Sequence, residues 1–200
     1  MKIFAFVDLH GSFSTLEKIK QAIKNKNPDL IICAGDISNF GNDLVKLIKE
    51  FSDLKKPFLI IPGNHETDEE IYEICKEFKD FAIDIHKGSY EIGNYVIFGY
   101  GGEGFTEESK EFEKIAERFL EHYNKNKTLI FVTHAPPYGT RLDYLSGLGH
   151  RGNKSFRKFI EQAKPKLVIC GHFHENANVI DKINSTVIVN PGKQGKLIEV

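Results

Sequence analysis

The stretch Leu59-Ile60-Ile61-Pro62-Gly63-Asn64-His65-Glu66 decides the fold of this chain. Its three aliphatic residues have the character of a short buried strand, which the Pro-Gly pair ends, and polar residues follow at once. The same arrangement occurs twice upstream, where Lys2–Val7 precedes Asp8-Leu9-His10 and Leu30–Cys33 precedes Gly35-Asp36. Short apolar strands that alternate with amphipathic segments predict an α/β layered domain.

Two more apolar runs downstream also end in histidines. Thr133-His134 follows Leu129–Val132, and Gly171-His172-Phe173-His174 follows Leu167–Cys170. Taken singly, each Asp, Asn or His has an ordinary explanation as a turn, cap or structural residue. The carboxyl ends of strands in an α/β sheet meet at one edge, however, where ligands bind. Five segments of metal-capable residues at such ends therefore predict one metal site.

The remaining elements predict one domain over residues 1–200. Capping-box patterns at Ser14–Glu17 and Thr67–Glu70 predict helices that begin just after Ser14 and Thr67. Closely spaced strands between Phe81 and Tyr100 predict antiparallel or mixed pairing. A Pro- and Gly-rich loop is expected from Ala135 to about Asn153. Further elements are two helices, over 112–123 and 155–163, and strands at 179–183, 186–189 and 196–200.

The composition narrows the classes of protein to consider. The chain has 200 residues, is 40% hydrophobic and 28% charged, and carries a formal net charge of −1. This balance offers no sign of a nucleic-acid or anionic-membrane partner. No apolar run approaches the length of a membrane span, and Asp8 interrupts the N-terminal apolar run, so a soluble cytoplasmic protein is expected. The three cysteines are expected to act as small apolar residues.

The five polar segments, in this order, resemble those of the calcineurin-like metallophosphoesterases. The resemblance runs from about residue 3 to the turn Asn190-Pro191-Gly192. It implies a four-layer α/β/β/α fold, in which two mixed β-sheets form a sandwich flanked by helices, with a two-metal site at one edge. It also implies the ligands of each metal: Asp8, His10, Asp36 and His174 for one, and Asp36, Asn64, His134 and His172 for the other.

The resemblance implies a mechanism as well. Asp36 would bridge both ions, and a hydroxide between the ions would attack phosphorus, while His65 would act as the general acid for the leaving group. The mixed nitrogen and oxygen ligands favour two divalent transition-metal ions over Mg or Ca. We expect Mn, with Ni, Fe or Zn as alternatives. For Glu66 we expect a cap on the following helix rather than an orienting contact to a ligand.

The residues after Asp36 bear on the substrate. The segment Ile37–Gly41 lacks the Asp-Arg pair that follows this aspartate in phosphoprotein phosphatases, and Phe40 stands near that place. Because this segment has no arginine to bind a phosphate monoester, we expect a small-molecule phosphodiester substrate, with cyclic nucleotides among the candidates. The loop after His134 resembles, less specifically, a small-phosphodiesterase subgroup that includes a brain-expressed branch. Its expected substrate contacts are Tyr138, Arg141, His150 and Arg151, and either Tyr138 or Phe105 could stack on a base.

Other functions within the same fold stay open on the sequence. A phosphomonoesterase is one, and a DNA-repair nuclease is another, although neither the net charge nor the length supports a nuclease. A third is a non-catalytic scaffold like the retromer subunit of this fold. His65 argues against a scaffold, because protein binding needs no acid for a leaving group. The sequence does not indicate an oligomeric state.

Overall fold

The computed structural model describes all residues, 1–200. The strands are β1 (Lys2–Phe6), β2 (Leu30–Cys33), β3 (Phe58–Ile60), β4 (Ala82–Asp84), β5 (Gly88–Ile92), β6 (Tyr95–Tyr100), β7 (Thr128–Thr133), β8 (Tyr144–Leu145), β9 (Gly149–His150), β10 (Leu167–Ile169), β11 (Ile180–Ile183), β12 (Thr186–Val189) and β13 (Lys196–Glu199). The helices are α1 (Phe13–Lys26), α2 (Leu44–Lys49), α3 (Asp68–Glu77), α4 (Lys110–His122) and α5 (Lys154–Ala163). None of these helices combines the length with the apolar character that crossing a membrane requires.

Two large mixed sheets form the centre of the molecule. The first has the order β13-β1-β2-β3-β4, in which only the β13–β1 pair is antiparallel. The second has the order β11-β12-β10-β7-β6-β5, with antiparallel pairs at both edges and parallel pairs between them. Strands β8 and β9 form a separate small hairpin.

Side chains of the strands alternate between two different cores, as a strand's period of two requires. In β1, Ile3 and Ala5 face the core between the sheets, whereas Phe4 and Phe6 face the core beneath α1, α2 and α3. A third core joins the outer face of the second sheet to α4 and α5. This arrangement confirms the predicted four-layer fold, and it explains why the central strands are apolar on both faces.

The two predicted capping boxes have different outcomes. At α3 the box is present: the Glu70 backbone N–H donates to the Thr67 hydroxyl at 3.2 Å, and the Thr67 N–H donates to the Glu70 carboxylate at 2.8 Å. At α1 the prediction was wrong, because the helix begins at Phe13 after Ser12. The Ser12 hydroxyl lies 3.3 Å from that of Ser14 and donates to that of Thr15 at 3.0 Å, rather than accepting from a backbone N–H.

The segment between Phe81 and Tyr100 divides between the two sheets. Strands β5 and β6 form the expected antiparallel hairpin. Strand β4, however, pairs in parallel with β3 and completes a β3-α3-β4 unit in the first sheet, so it does not belong to that hairpin. Helix α2 was not specifically predicted. The three cysteines are free and buried, as expected of small apolar residues.

Candidate metal centre

The ends of five strands bring the polar segments together. Strands β1, β2 and β3 of the first sheet lead to Asp8, Asp36 and Asn64, and β7 and β10 of the second sheet lead to His134 and His172. Both sheets therefore contribute to one cluster at the edge of the sandwich. All seven residues predicted as metal ligands are members: Asp8, His10, Asp36, Asn64, His134, His172 and His174.

Two glycines allow the loops of the first sheet to approach one another. A Cβ on Gly35 would lie 2.7 Å from the Gly63 Cα and from the His134 Nδ1, and a Cβ on Gly63 would lie 1.9 Å from the Asp36 Oδ1. Gly35 also has a φ of +96°, a region that side chains disfavour. The Gly-Asp and Gly-Asn-His motifs thus have a steric cause. The Gly63 backbone and the His134 ring occupy the space of a methyl group on Gly35, and the Asp36 carboxylate occupies that of a methyl group on Gly63.

Several of the clustered residues have strained backbones. Asp8, His10, Asp36 and His172 all have left-handed conformations, with φ of 56°, 47°, 52° and 70°. Asp and His tolerate this region better than most residues, but each departure still costs on the order of 1 kcal/mol. The fold therefore turns the chain sharply at the strand ends, and these turns direct the side chains into the cluster.

Three side chains on the second-sheet side bring nitrogen and oxygen ligand atoms to about 3 Å from one another. The Asn64 Oδ1 lies 3.0 Å from the His134 Nε2 and 2.9 Å from the His172 Nδ1. The His134 Nδ1 donates to the Ala34 carbonyl at 3.0 Å, so its Nε2 carries a lone pair. That lone pair also faces the Asp36 Oδ2 at 3.5 Å. Ligands that each lie about 2.1 Å from one ion at right angles are about 3 Å apart, so this spacing suits a cation.

Asp8, His10 and His174 form the other half of the cluster, and their nearest ligand atoms lie within 4.8 Å of one another. The His10 Nε2 is 3.1 Å from the His174 Nε2 and 3.8 Å from the Asp36 Oδ2. The buried Asp8 Oδ1 has no hydrogen-bond partner, and neither has the buried His172 Nε2. Buried polar atoms without partners are uncommon, and a carboxylate oxygen among imidazoles is well suited to a cation.

Burial shifts the proton affinities in this cluster. It raises the pKa of Asp8 to about 7, with a further contribution from the negative charge of Asp36. It lowers the pKa of His172 to about 4, and it also lowers the pKa of His134 and His10. Burial therefore favours the neutral form of these three histidines, which is the form that binds metals. A bound cation would favour the ionised form of Asp8 and so reverse the effect of burial on its pKa.

His65 lies beside the cluster with contacts of its own. Its backbone N–H donates to the Asp36 Oδ1 at 3.0 Å, its Nδ1 lies 3.2 Å from the Asn39 Oδ1, and its Nε2 lies 3.9 Å from the Asp36 Oδ2. Phe40 stacks on its ring with a centroid distance of 4.1 Å. If the Asn39 oxygen accepts from Nδ1–H, Nε2 is the atom free to exchange a proton at the open side of Asp36.

Glu66 does not cap the following helix, so the expected capping role was wrong. Its buried carboxylate accepts from the backbone N–H groups of Asp36 at 3.0 Å, Ser38 at 2.8 Å and Gly63 at 3.1 Å, and from the Ser38 hydroxyl at 2.7 Å. Glu70 is the helix-capping residue instead. Glu66 therefore ties the loop that carries Asp36 to the loop that carries Asn64 and His65.

The loop after His134 is organised by Asp143, a residue that no sequence pattern singles out. Its fully buried carboxylate accepts from the N–H groups of Gly139, Thr140 and Gly152 at 2.7–3.1 Å, and it lies 2.8 Å from the His150 Nδ1. No hydrogen bond or ring contact joins Tyr138, Arg141, His150 or Arg151 to the clustered residues. Arg141 and His150 line a separate depression of about 490 Å³, whereas Tyr138 packs beneath the Lys154 ammonium.

A cavity of about 510 Å³ opens beside the half of the cluster that Asp8, His10 and His174 form. Asp8, His10 and His174 form one wall, and Lys193 and Gln194 contribute to the other. Lys193 follows the Asn190-Pro191-Gly192 turn, but it was not predicted as a site residue. The cavity gives a small molecule access to the clustered ligands, and Lys193 is the one Lys or Arg residue in its lining.

Comparison with known proteins agrees with this geometry. Residues 1–176 match the family described as calcineurin-like phosphoesterase. The chain is 32% identical to the uncharacterized protein MJ1162 of Methanocaldococcus jannaschii, over 99% of this chain and 91% of that protein. It is 28% identical to a probable glycerophosphodiester phosphodiesterase, GpdQ, of Arcobacter nitrofigilis, over 94% of this chain and 72% of that protein. The crystal structure of TT1561 of Thermus thermophilus superposes with a TM-score of 0.75 at 18% identity, over 96% of this chain and 89% of that one. The chain belongs to the calcineurin-like phosphoesterase family.

Proposed function

We propose that the chain is a phosphodiesterase that uses two divalent metal ions. The observation that carries the proposal is the convergence of nitrogen and oxygen ligand atoms, above all the His134 Nε2, whose ring proton is on Nδ1 and bonded to Ala34, and the buried Asp8 Oδ1, which has no hydrogen-bond partner. One ion would be held by Asp8, His10, Asp36 and His174, and the other by Asp36, Asn64, His134 and His172. Mn is the expected metal, with Ni, Fe or Zn as alternatives.

Bound metal ions would supply a deprotonated water near neutral pH and positive charge for the phosphate oxygens. Residues of the chain would donate the proton and position the groups that take part. In the hydrolysis, a water oxygen adds to phosphorus, the ester P–O bond breaks, and the leaving oxygen takes a proton. His65 is the proposed donor of that proton, which it regains from solvent. Its N–H bond to Asp36 holds it at the metal-binding carboxylate, and Asn39 fixes the orientation of its ring.

The surroundings of His65 favour a diester over a monoester. A monoester carries one more negative charge, and enzymes that bind monoesters commonly supply a guanidinium group for it. Here the contacts of His65 outside the clustered ligands are Asn39 and Phe40, which are uncharged. Lys193 provides one ammonium group at the neighbouring cavity, which suits the single charge of a diester. The relative described as a probable glycerophosphodiester phosphodiesterase supports the same reaction class.

Hydrolysis assays with defined metals test the proposal. The protein is stripped of metal, refilled separately with Mn, Ni, Zn, Fe(II) or Mg, and assayed on an aromatic phosphodiester and the matching monoester. The Asp36→Asn variant serves as the blank. We expect diesterase activity restored by Mn or Ni and absent from the blank. A preference for the monoester would show that the protein is a phosphatase and not a diesterase. Inactivity in protein shown to bind two ions would favour a non-catalytic scaffold.

We also propose that the loop after His134 contributes to substrate binding. Arg141 and His150 line a depression whose wall includes Asn176, and Asn176 belongs to the same short 3-10 turn as His174. An ester group that extends beyond His174 would meet these side chains. Alanine variants of Arg141 and His150 should raise KM more for long esters than for methyl esters, and equal effects on both would remove the loop from the binding site. Tyr138 and Arg151 do not line that depression, and their contact with substrate stays a prediction.

A further inference from the structure

Two phenylalanines beside the candidate metal centre are exposed to solvent, although large apolar side chains are normally buried. Phe40 is 70% exposed and Phe105 is 66% exposed. Phe40 stacks on His65, and Phe105 meets the ring of His172 edge-on with a centroid distance of 4.8 Å. A continuous series of contacts joins the two rings, because Asn64 precedes His65 in the chain and its side chain contacts His172. The phenylalanines are the two ends of this series.

The backbone at Phe40 costs free energy that burial of its ring does not recover. Its φ is +54°, a conformation that is uncommon for a bulky residue. The turn is nevertheless firmly held, because the Gly41 N–H donates to the Ser38 hydroxyl at 3.0 Å and that hydroxyl donates to Glu66. A strained turn that holds an exposed ring against a candidate catalytic histidine indicates a binding role.

Phe105 is carried by a loop that is also anchored. Glu103 has a φ of +71°, and its carboxylate accepts from the Ser109 hydroxyl at 2.6 Å and the Tyr100 hydroxyl at 3.1 Å. One side of the Phe105 ring packs against Phe173 at a centroid distance of 5.5 Å. Most of the ring stays open to solvent. Both exposed rings are therefore positioned before any ligand arrives, which lowers the entropic cost of binding.

We infer that Phe40 and Phe105 contact the two organic groups of the substrate, and that both groups are planar and unsaturated. This inference rests on the proposed phosphodiesterase function. Phe40 lies against His65, the proposed acid for the leaving oxygen, so it contacts the leaving group. Phe105 lies at the opposite end of the series of contacts and contacts the group that stays on phosphorus. Flat rings gain affinity by stacking on exposed aromatic faces.

A cationic group is a less suitable occupant for Phe40. Aromatic faces also attract quaternary ammonium ions. The Phe40 ring, however, is already stacked on the His65 ring, with an angle of 23° between the two planes. A planar group would extend this stack with its whole face, whereas a compact tetrahedral cation would contact only part of it. The substrate class is therefore a phosphodiester whose two organic groups each carry a planar unsaturated ring, of which the base of a nucleoside is one kind.

A set of diesters separates the two contacts. The leaving group is either an aryl group or a fluoroalkyl group of matched leaving-group pKa, and the retained group is either phenyl or methyl. Phe40→Ala should lower the aryl-to-fluoroalkyl ratio of kcat/KM about tenfold, and Phe105→Ala should lower the phenyl-to-methyl ratio by a similar factor. Phe40→Tyr, which keeps a flat ring, should retain the ratio. Tyr72→Ala, at an exposed aromatic residue on α3, is the control.

Binding to phosphonate analogues, measured by calorimetry, gives a readout that needs no turnover. In these analogues a methylene group replaces the leaving oxygen. Phe40→Ala should weaken binding of the benzyl analogue about tenfold relative to the ethyl analogue. Unchanged ratios in both alanine variants would overturn the inference, as would a wild-type preference for choline esters. Absence of any diesterase activity would instead refute the proposed function, and the binding ratios would still decide the inference about the two rings.

Discussion

Replacing Glu66 by Ala should destabilise the protein far more than the same change at Glu70, four residues later. The Glu66 carboxylate accepts four hydrogen bonds, from three backbone N–H groups and the Ser38 hydroxyl, and it is only 7% exposed. Each buried donor left without a partner costs about 1–3 kcal/mol. The Ser38 hydroxyl can rotate to another acceptor. Removing the Glu66 carboxyl group also removes the cost of burying it, and this same burial raises its pKa. We therefore expect a net loss of about 4 kcal/mol in the free energy of unfolding.

Glu70 provides the matched control. It is exposed, and its capping box at Thr67 is worth about 1 kcal/mol. Glu66→Gln retains one carbonyl oxygen and should cost about 2 kcal/mol. The assay is urea unfolding of metal-free protein at pH 7, followed by calorimetry of Mn binding to each variant. Glu66→Ala should also weaken Mn binding, because Glu66 holds the Asp36 loop. Equal unfolding costs at Glu66 and Glu70 would refute this account of Glu66.

Three further variants test other parts of the centre. Burial raises the pKa of Asp8 from 3.8 to about 7, so its contribution to stability is present below about pH 4 and is lost as the pH rises through 7. In metal-free protein, Asp8→Asn should therefore gain stability relative to wild type, by about 3 kcal/mol more at pH 8 than at pH 5 in urea unfolding; a pH-independent difference would contradict this. His65→Asn should keep its metal content but lose turnover, most of all for esters with poor leaving groups, and equal losses for good and poor leaving groups would remove its role as an acid. Gly63→Ala, whose Cβ would lie 1.9 Å from the Asp36 Oδ1, should lose metal binding as measured by calorimetry, and unaltered affinity would show that the loop can move aside.

The residues of the centre were predictable because each belongs to a local pattern. An apolar run followed by a glycine and a polar residue marks a strand end within a few positions, as at Ile61 and Asn64. The meeting of the segments within each sheet also followed from a general property of α/β sheets. That the two sheets share one site was expected only from the resemblance to the metallophosphoesterases. Which strands pair with one another could not be predicted from these local patterns. Strand β4 belongs with β3 in the first sheet because of contacts beneath α3, and nothing within its three residues specifies that sheet.

Other parts of the centre depend on contacts that no local pattern records. Glu66 and Glu70 are both acidic residues near the start of α3, and only the folded chain shows that Glu66 turns inward to the Asp36 loop. The sequence likewise does not distinguish Asp143 from other aspartates in a long loop. Only the folded chain shows that five hydrogen-bond donors surround its carboxylate. The exposure of Phe40 is also a tertiary property, since a phenylalanine between polar residues could equally have been buried.

Two ions held through one shared carboxylate are the central feature of the proposed centre. Metal-stripped protein is titrated with Mn, and the bound metal is counted by elemental analysis for wild type and for Asp36→Asn, with diester hydrolysis measured on the same samples. We predict two ions per chain and restored hydrolysis in the wild type, and at most one ion and no hydrolysis in Asp36→Asn. A wild type that binds no metal, or an Asp36→Asn variant that binds two ions and hydrolyses the diester normally, would contradict the proposal.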